Sequence, residues 1–440
     1  MDRGLSVKNG NCISCFQIHY FSVDQTEQQM KPTLFLHFTF LLLFFLARGQ
    51  DPKKVDSLLS LYQNESDIEQ KVYLLDDLDE IYIYTIPDSA KFYIDEMVKI
   101  SKEADYKHGI LRGEFLLGHY YSTLGQMDTG AEYYRKTLER SIIDDDDTFL
   151  ATVLKNLSIY ESHKGNYPEA IRLMDSSATI QYEWGDFMRY GSAQNVMGKN
   201  YFEMGNYPKA MELYQAALKT MDTIEIKTYH KADVFSNIAE LHGIQKNYDQ
   251  AIRFHTMAMD VYEATEDNLY QANTLIEIGK VFESMKNYEK AIENYNLAIE
   301  IGNTYDFPTV LVYAYGNLGH TFTEQGKYEQ AIIALQKALS LGKENPSEIN
   351  IAYYLAELGH AYALNDDFSK AFAHLSRAVT LADSVAVGNE LQSALHYRAL
   401  AYENNGQLQK AINDYKRSQM LKDSLFSIEK AKQIDELQTI

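Results

Sequence analysis

The sequence predicts an all-α fold, a solenoid of about nine stacked helix pairs with a 40-residue period. Three features support this prediction: an apolar stripe with helical spacing, a small residue that recurs every 40 positions, and a break followed by an aromatic residue. The stretch 316–342 shows all three. Its apolar residues are spaced by three and four, Gly326 interrupts them where a helix end needs a left-handed residue, and Tyr328 opens the next helix.

The repeat register can be followed through most of the chain. The first small residue of each second helix recurs in steps of 40 or 41, at Ala90, Gly130, Ala170, Ala210, Ala251, Ala291, Ala331, Ala371 and Ala411. Each helix pair leaves an apolar face that only a neighbouring pair can cover, and close stacking requires the same small residues each time. Residues 50–420 are therefore predicted to form one repeat array.

The residues before this array are expected to serve export. Residues 1–29 show no periodicity and are interpreted as a non-native or unstructured extension, with Met30 as the expected start. Residues 30–49 have the parts of a secretory signal peptide: Lys31, the apolar run Leu34–Leu46 and small residues before the cleavage point. An uncleaved amino-terminal anchor is the alternative. Both interpretations predict an exported protein, periplasmic or membrane-associated and facing the periplasm.

The elements of the array then follow in order. Val55–Tyr62 marks a first short helix, Val72–Ile83 a second, and Pro87 opens the next. At the other end, residues 421–440 carry apolar residues along one side and are predicted to form a connector helix. This helix has the pattern of a coiled-coil dimer seam, but one short segment leaves the oligomeric state open.

The helix pair at 316–342 resembles a tetratricopeptide repeat. Gly319 in its first helix, and Ala331 and Ala338 seven apart in its second, match the small positions of that repeat's signature. The resemblance implies an α-solenoid superhelix of about nine tetratricopeptide-type helix pairs, whose first helices line a concave groove. The residues beyond the usual repeat length are expected after the second helix, around Gly302–Pro308 and Gly342–Pro346, where they lengthen the helices and the connecting loop.

With the signal peptide and the terminal helix, residues 50–440 resemble the exported sensor half of bacterial tetratricopeptide-containing histidine kinases or helix-turn-helix regulators. This resemblance implies signal transduction with a membrane-anchored signalling partner. No output domain follows the repeats in the sequence. The chain is therefore interpreted either as a truncated sensor or as a stand-alone partner.

Composition and motifs exclude several function classes. The formal charge of −21 argues against nucleic-acid binding, because Lys and Arg supply most of the affinity for phosphates. No protease, hydrolase or nucleotide-binding motif occurs, so neither enzymatic activity nor a cofactor is expected. Cys12 and Cys15 stand alone as a C-x2-C pair, Asp144–Asp147 lacks the alternation of a calcium loop, and His320 with His360 lacks a third ligand, so no metal site is expected.

The groove is the one candidate site, for a protein or peptide ligand. Lys, Asn, His and Tyr side chains on its first helices could hydrogen-bond to an extended peptide or its carboxylates. The candidates are His119, Lys155, Asn156, Asn195, Lys199, Asn237, Lys280, Tyr313, Asn317, His320, Tyr353 and His360. The alternative for each is a polar residue that simply faces water.

The sequence thus predicts a non-catalytic protein- or peptide-binding module, the sensory or scaffold part of a bacterial signal-transduction system. The alternative is an envelope scaffold or uptake-associated binding protein. The absence of a lipoprotein cysteine after the apolar run and the single tryptophan, Trp184, disfavour that alternative, because sugar sites use aromatic platforms. A hydrolase hidden in the array has no motif to support it.

Overall fold

The computed structural model describes residues 52–83, 86–144, 149–223, 229–342, 348–385 and 388–439. Within these ranges nineteen α-helices and no strand occur, which confirms the predicted all-α class. The predicted extension 1–29 and signal peptide 30–49 lie outside the described residues. None of the described helices combines the length and apolar composition needed to cross a membrane.

The chain separates into two compact units, Met1–Trp184 and Gly185–Ile440. The described helices of the first unit are α1 (Pro52–Asn64), α2 (Ile68–Tyr82), α3 (Pro87–Glu103), α4 (Lys107–Thr123), α5 (Met127–Asp144), α6 (Leu150–His163) and α7 (Tyr167–Glu183). Those of the second unit are α8 (Phe187–Glu203), α9 (Tyr207–Asp222), α10 (Tyr229–Ile244), α11 (Tyr248–Ala264), α12 (Asn268–Ser284), α13 (Tyr288–Thr304), α14 (Pro308–Glu324), α15 (Tyr328–Leu341), α16 (Glu348–Leu364), α17 (Phe368–Ser384), α18 (Gly388–Asn404) and α19 (Leu408–Thr439). After α1 the described helices form nine pairs, three in the first unit and six in the second, as the repeat register predicts.

The 40-residue period comes from long helices rather than long loops. Helices α13 and α14 have 17 residues each, and three-residue turns, 285–287 and 305–307, precede them. The additional residues of this repeat therefore lengthen its helices. Around Gly302–Pro308 the expected longer loop is therefore wrong, because α13 continues to Thr304 and α14 already begins at Pro308. Residues 343–347 of the second stretch, Gly342–Pro346, lie outside the described residues.

Left-handed residues end the first helices of the pairs. Gly326 has a φ of +72°, as predicted, and the N–H of Lys327 donates to the carbonyl of Phe322 at 2.9 Å. This bond closes the helix end as in a Schellman motif. Lys246 and Lys286 occupy the same position with φ of +60° and +59°. Such a conformation is costly for a residue with a Cβ, which is why the turn position favours glycine.

Small residues allow the two helices of a pair to approach closely. A Cβ on Gly319 of α14 would lie 2.5 Å from Cγ of Leu335 in α15. Ala331 and Ala338 on α15 are fully buried. The core is a row of such apolar clusters between neighbouring helices, and the repeated glycine and alanine positions are packing residues.

The last described helix, α19, extends without a break from the second helix of the last pair to Thr439, over 32 residues. The segment predicted as a connector helix, 421–440, is the distal part of this helix as far as Thr439. It continues the array directly, because no turn residue separates the two parts.

Candidate functional site

In the second unit, the first helices of the six pairs carry polar side chains that contact one another across pairs. We call the surface formed by α8, α10, α12, α14, α16 and α18 the A face; it is the surface predicted to line the groove. Its hydrogen bonds join residues 37 to 42 positions apart, one repeat along the chain. Each candidate residue can therefore bind a ligand only through the polar groups that these hydrogen bonds leave free.

At α8 and α10 the candidates are engaged with each other. Asn237 Nδ2 donates to Asn195 Oδ1 at 2.9 Å, and Asn195 is only 8% exposed. Lys199 Nζ lies 2.7 Å from Glu240 Oε2 and 3.3 Å from Glu203 Oε1. These bonds hold consecutive first helices in register, so their main contribution is to position the face.

The centre of the A face is a buried carboxylate. Glu357 on α16 is 2% exposed, and a charged group at that depth is stable only when it is paired. His320 Nδ1 lies 3.0 Å from its Oε2, and the hydroxyl of Tyr397 on α18 donates to its Oε1 at 3.1 Å. Glu357 thus joins three consecutive pairs through two hydrogen bonds.

His320 extends this connection to a fourth pair. Its Nε2 lies 3.9 Å from Oε1 of Glu283 on α12, whose carboxylate also accepts from Thr321 Oγ1 at 2.7 Å. Burial alone lowers the pKa of His320, but the hydrogen bond and charge of Glu357, with the charge of Glu283, outweigh it and raise the pKa to about 9. At neutral pH His320 is therefore an imidazolium between two carboxylates.

His360 differs from His320 in its contacts and in the direction of its pKa shift. Its ring stacks on Tyr397 with the centroids 4.1 Å apart and the planes at 9°. Burial lowers its pKa, and no described residue hydrogen-bonds to its Nδ1. Within the described ranges, no group of three or more His, Cys, Asp or Glu side chains is arranged to hold a metal ion. His320 faces carboxylates, so these two histidines do not form a ligand pair.

Neutral groups beside this charged cluster are the ones a ligand can reach. Tyr313 is 38% exposed, and its hydroxyl accepts from Asn350 Nδ2 at 3.0 Å. Asn317, one turn along α14, is half-buried, and its side-chain amide hydrogen-bonds to no described residue. Burial raises the pKa of the half-buried Tyr353, so its hydroxyl stays neutral. Lys280 is exposed but pairs with Glu277 on its own helix at 2.9 Å.

The first unit holds the remaining three candidates on two consecutive first helices. His119 of α4 is half-buried, and burial followed by the charge of Lys155 lowers its pKa. Lys155 and Asn156 lie on α6 and are also half-buried. The structure therefore brings Lys155 close enough to His119 for its charge to act on the imidazole.

Sequence reasoning missed the buried carboxylate of the A face and its tyrosine partner. Glu357 and Tyr397 occupy the same repeat position as the candidates Asn237 and Asn317, three residues before the histidine position. The signal was therefore present in the register. A glutamate in an acidic chain nevertheless gave no reason to expect burial, because surface carboxylates are common.

Comparison with known families identifies the repeat. Tetratricopeptide repeat models match residues 230–303 and 311–384, and a further tetratricopeptide repeat model matches residues 115–141. Each matched segment falls on helix pairs of the structure. Comparison of the sequence with curated proteins gives no match.

Solved structures confirm the tetratricopeptide-type solenoid. A Rap protein complexed with Competence and Sporulation Factor has 16% identity and a TM-score of 0.55, over 85% of this chain and 99% of that one. The apo form of the quorum sensor NprR from B. thuringiensis has 15% identity and a TM-score of 0.57, over 79% and 97%. A signal transduction ATPase with a tetratricopeptide repeat sensor from Pyrococcus horikoshii has 14% identity and a TM-score of 0.57, over 92% and 68%. At such identities the likeness shows the fold alone.

Proposed function

We propose that this chain is a non-catalytic peptide-binding module and that an extended peptide lies along the A face beside α14 and α16. The observation that carries the proposal is the side-chain amide of Asn317, which bonds to no described residue and lies one turn from Tyr313 on α14, on a surface where Lys199, His320 and Glu357 are already paired. A carboxamide offers a donor and an acceptor, the complement of a peptide unit in an extended backbone.

The bonds between pairs support this function by fixing the face in advance. The Glu357 bonds to His320 and Tyr397 tie α14, α16 and α18 together, so Asn317 and the tyrosines are positioned before a ligand arrives. Preorganisation of this kind reduces the entropy lost on binding. Two similar structures agree with such a role, because the Rap protein is complexed with Competence and Sporulation Factor and NprR is a quorum sensor.

The proposal extends to signalling and location. The chain acts as the sensory part of a bacterial signal-transduction system with a membrane-anchored partner, and residues 30–49 direct its export. Similarity to a signal transduction ATPase with a repeat sensor favours the sensory role. Amino-terminal sequencing of the protein from an envelope fraction tests the export; an amino terminus that still begins at Met1 in the cytosolic fraction would contradict it.

Selection from a library of random short peptides on the full chain tests the binding function. Affinities of the selected peptides are then measured for the wild type and for Asn317→Ala, with Asn294→Ala as the control. Asn294 lies on the second helix α13, and its amide donates to the carbonyl of Lys290. We expect Asn317→Ala to weaken binding by about tenfold, since it removes paired hydrogen bonds, and the control to have no effect. Selected peptides that are insensitive to Asn317→Ala, or failure to select any, would contradict the proposal.

A further inference from the structure

In the inner pairs of the second unit, each pair forms a groove that receives the first helix of the next pair. For the pair α16 and α17 this groove is apolar and fully occupied. Ala352 and Ala356 on α16, and Ala378 and Ala382 on α17, are at most 2% exposed, and α18 packs against them through Leu391. The small side chains fit this use, since they let a third helix approach closely.

The same groove in the last pair has a different chemistry. Forty positions further along, the residues are Gln392 and His396 on α18, and Ser418 and Lys422 on α19. Polar and basic side chains thus replace four alanines. Together with Tyr415, Lys416 and Gln419 they surround an open cavity of about 500 Å³. We call this cavity the end groove.

The walls of the end groove are held in place by hydrogen bonds. Gln392 Nε2 donates to Ser418 Oγ at 3.0 Å, and Ser418 Oγ donates to the carbonyl of Gln392 at 3.1 Å. The Tyr415 hydroxyl donates to Glu403 Oε2 at 2.7 Å. The polar lining is therefore a fixed surface between two rigid helices, with the geometry that the preceding pair uses to receive a helix.

The end groove is also basic in an acidic protein. Lys416 and Lys422 are exposed, and neither forms an ion pair or lies over an aromatic ring within the described part of the chain. Other lysines of this unit do: Lys370 Nζ pairs with Asp367 at 2.7 Å, and Lys410 Nζ lies 5.3 Å from the ring centroid of Tyr402. Two unpaired cations at one groove attract carboxylates.

We propose that the end groove binds a helix of a partner protein whose contacting face carries aspartate or glutamate. The shape follows from the preceding pair, where the equivalent groove receives α18, and the charge follows from Lys416 and Lys422. A second copy that presented the same groove would oppose lysine to lysine, which like-charge repulsion disfavours. The end groove shares α18 with the A face, but the peptide is proposed to lie beside α14 and α16, so a peptide ligand and this partner can bind the same chain.

Fluorescence anisotropy with the full chain and stapled helical probes tests the proposal. One probe is an alanine-based helix of 17 residues, the length of α18, with glutamates along one face; a second has glutamines at the same positions. A third has the glutamate composition but two central prolines, which prevent helix formation. We expect the helical glutamate probe to bind at least about tenfold more tightly than the other two.

Charge reversal then locates the site. The variant Lys416→Glu with Lys422→Glu is expected to lose at least about tenfold in affinity for the glutamate helix. The control Lys219→Glu with Lys337→Glu makes the same charge change at exposed positions of α9 and α15 and is expected to retain binding. Equal binding of the three probes, equal loss in the control, or displacement by inorganic phosphate at physiological ionic strength would overturn the proposal; the last result would assign the groove to a small anion.

Discussion

Replacement of His320 by glutamine tests the charged cluster at the centre of the A face. Burial alone lowers the pKa of His320, but the hydrogen bond and charge of Glu357 outweigh it and raise the pKa from its ordinary 6.5 to about 9. Because the folded state binds this proton more tightly, the stabilisation is complete below pH 6.5 and is lost as the pH rises through 9. The shift corresponds to roughly 3 kcal/mol, nearly complete at pH 6 and reduced to below about 1 kcal/mol at pH 9.

A local measurement is needed, because arrays of repeats do not unfold in one step. Hydrogen exchange followed by mass spectrometry reports the opening of peptides from α14 and α16 separately. Comparing wild type with His320→Gln at each pH removes the intrinsic pH dependence of exchange. We expect the variant to lose protection in α14 and α16 at pH 6 and to approach the wild type at pH 9.

His242 of α10 provides the control, since His242→Gln removes a half-buried histidine of the same unit whose ring stacks on Phe254, away from α14 and α16. It should leave protection of α14 and α16 unchanged at both pH values. A difference between wild type and His320→Gln that stays constant from pH 6 to pH 9 would refute the reasoning, because it would show that the histidine contributes by packing rather than by charge.

Two further predictions concern stability elsewhere in the chain. Gly319→Ala should destabilise α14 and α15 by about 1 to 3 kcal/mol, measured by hydrogen exchange, since its Cβ would meet Leu335. Gly243→Ala has open space for the Cβ and should stabilise α10 by up to about 1 kcal/mol; equal effects would contradict the close approach. Asp79 is 3% exposed, and burial followed by the charge of Asp76 raises its pKa to about 8. The folded state therefore favours the protonated acid and loses stability as the pH rises from 3.8 towards 8. Asp79→Asn should stabilise the first unit by on the order of 4 kcal/mol at pH 7 and by almost nothing at pH 4. Hydrogen exchange of α2 measures both values.

The repeat architecture was accessible from the sequence because each structural constraint recurs. Gly326 predicts a left-handed helix end, and the structure has it; Ala331 predicts a close helix contact, and it is fully buried. One such residue would have been ambiguous, but nine in register leave one arrangement. The division into two units between Trp184 and Gly185 had no such signal, since the register continues through it.

The sequence predicted where the residues of the A face lie, but it did not predict the hydrogen bonds between them. The register places His320, Glu357 and Tyr397 on consecutive first helices, yet it does not say which side chains are close enough to bond. That depends on rotamers and on the offset between helices, which vary from pair to pair. The same limit explains why Lys199 was a ligand candidate although Glu240, one repeat along, already pairs with it.

These pairings decide what kind of ligand each surface favours. On the A face of the second unit, Lys199, His320 and Glu357 form ion pairs within the protein. A ligand therefore contacts mainly neutral groups such as Asn317. Neutral hydrogen bonds select backbone geometry and are little affected by salt, whereas lysine contacts at the end groove select charge and are screened by it. The peptide proposed for the A face and the helix proposed for the end groove are therefore selected by different interactions, and salt should weaken only the second.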